Sequence, residues 1–192
     1  GDTNGSDDIF VYDRLVGTTA RVSVNAAGTQ ANDSSYDPSI SQDGRHAAFW
    51  SFATNLVTGD TNGQFDVFVR DRQLGVTARV SVATAGTEAD NLSTNPSVSS
   101  DGRYVAFQSS ASNLVAGDTL GFDDIFVRDT QTSTTTRVSV DSGAVQANNV
   151  SNNPSISANG RYVAFRSSAS NLVAVDTNGI DDIIVHDTKT NT

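Results

Sequence analysis

The chain contains no cysteine and no methionine, so neither a disulfide nor a thiolate-held zinc or iron holds it together. Glutamate and lysine are almost absent as well: 21 aspartates stand against the single Glu88, and 11 arginines against the single Lys189. Exposed helix faces draw on Glu and Lys, whereas the short Asp side chain favours turns and caps, so this skew predicts a chain with almost no helix. No apolar run reaches the length of a membrane span. A positive field is missing too. The net charge of −10 speaks against nucleic acid and anionic membranes as partners and in favour of cations. The chain opens at Gly1 with neither a secretory leader nor an initiator methionine, which reads as a processed or excised piece.

What is present is a repeat. Gly-Asp-Thr occurs at Gly1, Gly59 and Gly117, with a fourth copy at Val175-Asp176-Thr177, so the period is 58 residues. The three prolines share one repeat position, Pro38, Pro96 and Pro154, and the turn sequences Asp43-Gly44-Arg45, Asp101-Gly102-Arg103 and Asn159-Gly160-Arg161 follow in the same register.

Each period carries four strand signals, read from alternation and from the turn residues between runs. In one period these are Pro96 to Ser99, Tyr104 to Ser109, Asp124 to Arg128 and Thr135 to Val140, the first two joined by a tight Asp101-Gly102 turn. Four antiparallel strands per repeat make one propeller blade, which must bury its faces against its neighbours. A β-sandwich or a β-solenoid would permit the same alternation, but a solenoid rung is far shorter, while roughly 40–50 residues per unit suits a blade. The expected fold class is therefore all-β: tandem four-stranded antiparallel blades of a β-propeller with a 58-residue repeat, in an incomplete or open ring. The phase predicts a partial blade over 1–24 with only third and fourth strands, blades over 25–82 and 83–140, and a blade over 141–192 lacking its fourth strand.

The pattern Pro-Ser-Ile/Val-Ser-x-Asp/Asn-Gly-Arg-x-x-Ala-Phe, with Asp-Ile/Val-Phe/Ile-Val-x-Asp downstream, resembles the blade signature of TolB-like, WD-repeat-like propellers over essentially the whole chain. That resemblance implies a secreted, surface or periplasmic protein whose propeller is an interaction platform or a domain attached to a hydrolase. It says much about fold and little about activity.

The most specific constellation is Asp-Thr-Asn-Gly-x-x-Asp. It occurs at Asp2, Asn4 and Asp8; at Asp60, Asn62 and Asp66; and at Asp176, Asn178 and Asp182, with the variant Asp118 and Asp124 in which Leu120 replaces the asparagine. These residues resemble a shortened calcium loop: two carboxylates, an amide oxygen and backbone carbonyls are hard oxygen donors, and Gly allows the sharp turn. Calcium is thus the expected cofactor, with the remaining ligands supplied by water or by the neighbouring loops at Asn32-Asp33, Asp90-Asn91 and Asn148-Asn149. The competing reading is a plain Asn-Gly turn whose aspartates cap backbone amides.

Catalytic arrangements are poor. His46 aligns with Tyr104 and Tyr162, and His186 with Arg128, Arg70 and Tyr12, so neither belongs to a repeated site. No Gly-x-Ser-x-Gly elbow or His-Glu-x-x-His helix occurs. The repeated arginines at 45, 103 and 161 and at 21, 79 and 137 read as partners for the abundant Asp or as covers for apolar surface. Trp50, which replaces Gln108 and Arg166, reads as an exposed contact residue. The functional expectation is a non-catalytic, extracellular, calcium-binding module with structural, assembly or interaction roles. Its partners would be other copies of itself, the rest of a longer propeller, or a protein or glycan ligand. The alternative is the propeller domain of a secreted hydrolase or glycan-binding enzyme.

Overall fold

A computed structural model describes residues 2–192. Among them thirteen strands form four antiparallel sheets, and no helix forms. The first sheet pairs β1 (Phe10–Asp13) with β2 (Thr18–Arg21). The second runs in the order β3 (Ser35–Ile40), β4 (His46–Ser51), β5 (Asp66–Asp71), β6 (Val76–Arg79). The third repeats that order with β7 (Ser93–Val98), β8 (Tyr104–Ser109), β9 (Asp124–Asp129) and β10 (Thr134–Arg137). The fourth holds β11 (Ser151–Ile156), β12 (Tyr162–Ser167) and β13 (Asp182–Asp187). We call these sheets blades 1 to 4.

The first strand of each blade begins earlier than its proline suggests. Asp37, Asn95 and Asn153, each just before the proline, adopt φ of 45°, 52° and 53°, and the ladder register shifts at this point in all three blades. A proline has no N–H to give the ladder, and Asp and Asn tolerate left-handed backbone, so the strand bulges around the pair and resumes on the far side.

Blade 3 is buried on both faces, which explains why β8 reads as the nearly unbroken apolar run Tyr-Val-Ala-Phe. Val105 and Phe107 pack with Ala48, Val67 and Val69 of blade 2, while the intervening Ala106 faces Ile156, Val163 and Phe165 of blade 4. Within a blade the large rings pair across neighbouring strands, Phe49 with Phe68 and Phe107 with Phe126, centroids 6.0 and 5.8 Å apart. Burying each such phenylalanine contributes roughly 2–3 kcal/mol.

Polar stitches set the spacing between blades. Thr77 Oγ1 donates to the carbonyl of Val24 and Thr135 Oγ1 to that of Val82, each at 2.5 Å. Ser39 Oγ accepts from the Val98 amide at 3.1 Å, and Ser97 Oγ from Ile156 at 3.0 Å. At the hairpins, the ring of His46 lies against Gly102 and that of Tyr104 against Gly160. A Cβ on either glycine would stand 2.1 Å from the ring.

Candidate functional site

The Asp-Thr-Asn-Gly-x-x-Asp loops enter the third strand of each blade, and the last Asp of each begins that strand or lies beside it. In blade 2 the loop is pinned from three directions. Ser81 Oγ donates to Asp66 Oδ1, and Asn62 Nδ2 donates to Asp66 Oδ2 at 2.9 Å and to the Ala89 carbonyl at 3.0 Å. Asn62 Oδ1 accepts from the Gln64 amide at 2.9 Å, which closes the turn.

The fourth strand supplies the cation. Arg79 pairs with Phe68 across β5 and β6, and its Nη1 lies 3.3 Å from Asp60, 3.1 Å from Asp66 and 2.7 Å from Glu88. Asp66 has no solvent exposure. Burial pushes Asp60 up to about 6, reinforced by the charge of Asp66 and opposed by Arg79. Burial also raises Asp66, against the hydrogen bond from Ser81. Glu88 is lowered, chiefly by the hydroxyl of Thr61.

Blade 3 repeats the cluster with different neighbours. Arg137 lies 3.4 Å from both Asp118 and Asp124. Leu120 is half exposed and ligates nothing, and Gln146 fills the gap by donating to Asp118 at 2.9 Å and Asp124 at 2.8 Å. Burial pushes Asp124 up to about 6. In blade 1, Arg21 stands 3.4 Å from Asp8 and 3.7 Å from the more exposed Asp2, and Asn4 donates to the Ala31 carbonyl at 2.7 Å. In blade 4, Asn178 Nδ2 reaches Asp182 at 3.3 Å and Asn178 Oδ1 accepts from the Ile180 amide at 3.0 Å, while Asp176 is part-exposed beside them.

Each loop therefore gathers the residues that the repeat singles out, but three of them are arranged around a guanidinium. Calcium takes six to eight oxygens at 2.3–2.6 Å. Here an arginine nitrogen stands between the two carboxylates, and the asparagine turns its amide nitrogen rather than its oxygen toward Asp66. As arranged, the loops of blades 1 to 3 do not fit calcium; the arginine of the fourth strand meets their charge. The serines Ser23, Ser81 and Ser139 and the residues Gln30, Glu88 and Gln146 complete these clusters, and sequence reasoning passed over them. The signal was present, since the only glutamate of the chain falls at the repeat position of two glutamines.

The second arginine series is also structural. Arg45, Arg103 and Arg161 make paired hydrogen bonds to Asp71, Asp129 and Asp187 at 2.6–3.1 Å, joining the hairpin to the end of the third strand. Those bonds are the main reason that all three carboxyls are held far below the ordinary value of 3.8. His186 is buried, and burial lowers it.

The repeated blades, their shared cores and their open sheets can be compared with known proteins. No family model matches the chain, and no curated protein matches it. Solved structures do match: a putative TolB from Agrobacterium tumefaciens superposes with a TM-score of 0.60 at 19% identity, over 97% of this chain and 55% of that one. The fold is that of a TolB-like β-propeller. TolB from Acinetobacter baumannii superposes on 96% of this chain with a TM-score of 0.57 at 17% identity, over 36% of its own length. The tricorn protease does so on 96% with a TM-score of 0.58 at 14% identity, over 16% of its length. This TolB-like propeller segment thus spans about half of the first of these structures and a small part of the last.

Proposed function

We propose that this TolB-like propeller segment is a non-catalytic module that works outside the cytoplasm as a structural and interaction platform, with its end faces covered by further blades. One observation carries the reading: in blades 1 to 3 the conspicuous acids of the repeat are bound to arginines of the same blade, so the repeated charge builds the blade. The two end blades show what must be covered. Phe10 and Tyr12 on β1 are 50% and 60% exposed, and Ile183 and Val185 on β13 are 73% and 59% exposed. Apolar surface of this kind on a sheet face marks an interaction surface. The blades that cover it belong to a longer chain or to a second copy.

Calcium enters this reading only at Asp176, Asn178 and Asp182, where no arginine partner is found among the described residues. A calcium titration followed by thermal unfolding tests it, with Asp176→Ala as the control: a rise in melting temperature that this substitution abolishes supports calcium, and an unchanged melting temperature removes it. Light scattering across a concentration series tests the end faces. Growth in particle mass that Ile183→Ser and Val185→Ser together suppress supports the platform reading, and a monomer at all concentrations counts against coverage by a second copy.

A second reading, the propeller domain of a larger hydrolase, is favoured by the likeness to the tricorn protease, of which this chain covers 16%. It predicts catalytic residues on segments other than these blades, and peptidase activity only in the longer protein.

A further inference from the structure

One blade breaks the repeat at five neighbouring positions at once. In blades 3 and 4 the site at the end of the second strand and the start of the third is polar. Gln108 Nε2 donates to Asp123 at 2.7 Å, with Ser110 on the same carboxylate. Arg166 Nε donates to Asp181 at 2.7 Å, again with a serine, Ser168. In blade 2 the matching residues are Trp50, Phe52 and Phe65. The cross-strand neighbour of Trp50 is Tyr36, where blades 3 and 4 have Thr94 and Asn152. The fifth change is Asp37, where they have Asn95 and Asn153. The carboxylate lost at position 65 reappears at position 37.

The four rings form a continuous cluster. Tyr36 and Trp50 lie 4.5 Å apart, Trp50 meets Phe65 edge-on at 4.8 Å and 85°, and Phe52 meets Phe65 at 5.1 Å. Trp50 Nε1 donates to Asp37 Oδ2 at 2.9 Å, which ties the indole to an exposed carboxylate. Asp37 in turn borders a cleft of about 380 Å³ between the first strands of the three blades. Packing alone does not account for this exchange, because Phe52 remains 40% exposed and the other three rings are only part-buried.

We propose that this cluster is a docking site for a cationic side chain, above all an arginine, on a partner peptide. Three features of the molecule select that chemistry. Aromatic faces attract cations, and a guanidinium also stacks on them. Asp37 places a carboxylate at the edge of the rings, in range of a paired hydrogen bond. The chain already uses this contact: Arg103 lies 4.8 Å over Tyr104, Arg161 lies 4.9 Å over Tyr162 and Arg21 lies 5.5 Å over Phe10. The net charge of −10 draws basic ligands toward the surface and repels acidic ones.

This proposal rests on the interaction-platform reading, but that reading is tested at the end faces and this one within blade 2, so either can fail alone. Trp50 is the only tryptophan, and its fluorescence reports on the site directly. The protein is titrated with Gly-Arg-Gly amide and with the neutral Gly-citrulline-Gly amide. The expected result is a saturable change with the arginine peptide, half-complete on the order of 1 mM for so small a ligand, and at least tenfold weaker binding of the citrulline peptide. Asp37→Asn reproduces the residue of blades 3 and 4 and keeps an acceptor for the indole. It is expected to weaken binding about tenfold, as is Phe52→Ser, with melting temperatures unchanged. Equal responses to the two peptides, a linear response without saturation, or full affinity in Asp37→Asn would each overturn the proposal.

Discussion

Arg79 Nη1 lies 3.1 Å from Asp66 Oδ2, and that carboxylate has no contact with solvent. A buried charge of this kind is tolerable only with its partner in place. Arg79→Met is therefore expected to destabilise the protein by about 3 kcal/mol, since it leaves Asp66 buried and unpaired. Arg166→Met is expected to cost far less, because Arg166 and its partner Asp181 are both solvent-exposed and water can replace the guanidinium. Denaturant unfolding of the two variants measures the difference.

The pH profile follows from two groups of aspartates with opposite shifts. Asp60 and Asp124 stand near 6 in the fold, above the ordinary 3.8, so the folded state binds more protons between those values. Their contribution falls as pH rises through 6, and the protein gains stability on going from pH 7 to pH 5. Asp71, Asp129 and Asp187 are lowered; their contribution is full above the unfolded value of 3.8 and is lost as acid protonates them. Melting temperature measured against pH should peak near pH 5 and fall steeply below about pH 3. Asp60→Asn should flatten the limb between pH 5 and pH 7.

Gly160 and Gly44 occupy the same turn position with the same φ of 72°, but only Gly160 has a tyrosine ring from the preceding blade against it. Gly44→Ala should cost about 1 kcal/mol from left-handed backbone alone. Gly160→Ala adds a clash with Tyr104 and should cost about 3 kcal/mol in all. Thermal unfolding of the two variants separates the conformational part from the packing part.

His46 takes the place of the tyrosine found in the next two blades. Its Nδ1 is buried without a hydrogen-bond partner, while Nε2 lies 3.5 Å from Asp71. His46→Tyr removes the orphan atom and restores the repeat, and should stabilise the fold by about 1 kcal/mol. An unchanged or lower denaturation midpoint would show that the space beside Gly102 is too small for the phenol.

The strand pattern was legible because each blade repeats the same local choices. The second strand of blade 3, Tyr104–Ser109, lies where its alternation places it, and the apolar Val-Ala-Phe core of that strand signals burial on both faces. The start of the first strand was not legible, since the bulge at Asn95 depends on a left-handed residue that local pattern does not reveal. Trp50 stood out as unique, but its meaning came only with Tyr36 and Phe65 brought beside it and its chain neighbour Phe52 from other parts of the blade.

The amino-acid sequence by itself determined the 58-residue period, the all-β class and the pairing of carboxylates within each loop, because these depend on residues close along the chain or on exact repetition. The tertiary structure alone decided what neutralises those carboxylates. Arg79 lies 13 residues from Asp66 and Glu88 lies 22 residues away, and only the folding of β6 back along β5 and the approach of the next blade bring both to one place. A carboxylate pair looks the same along the chain whether a metal ion or a guanidinium answers it; the three-dimensional packing supplies the partner.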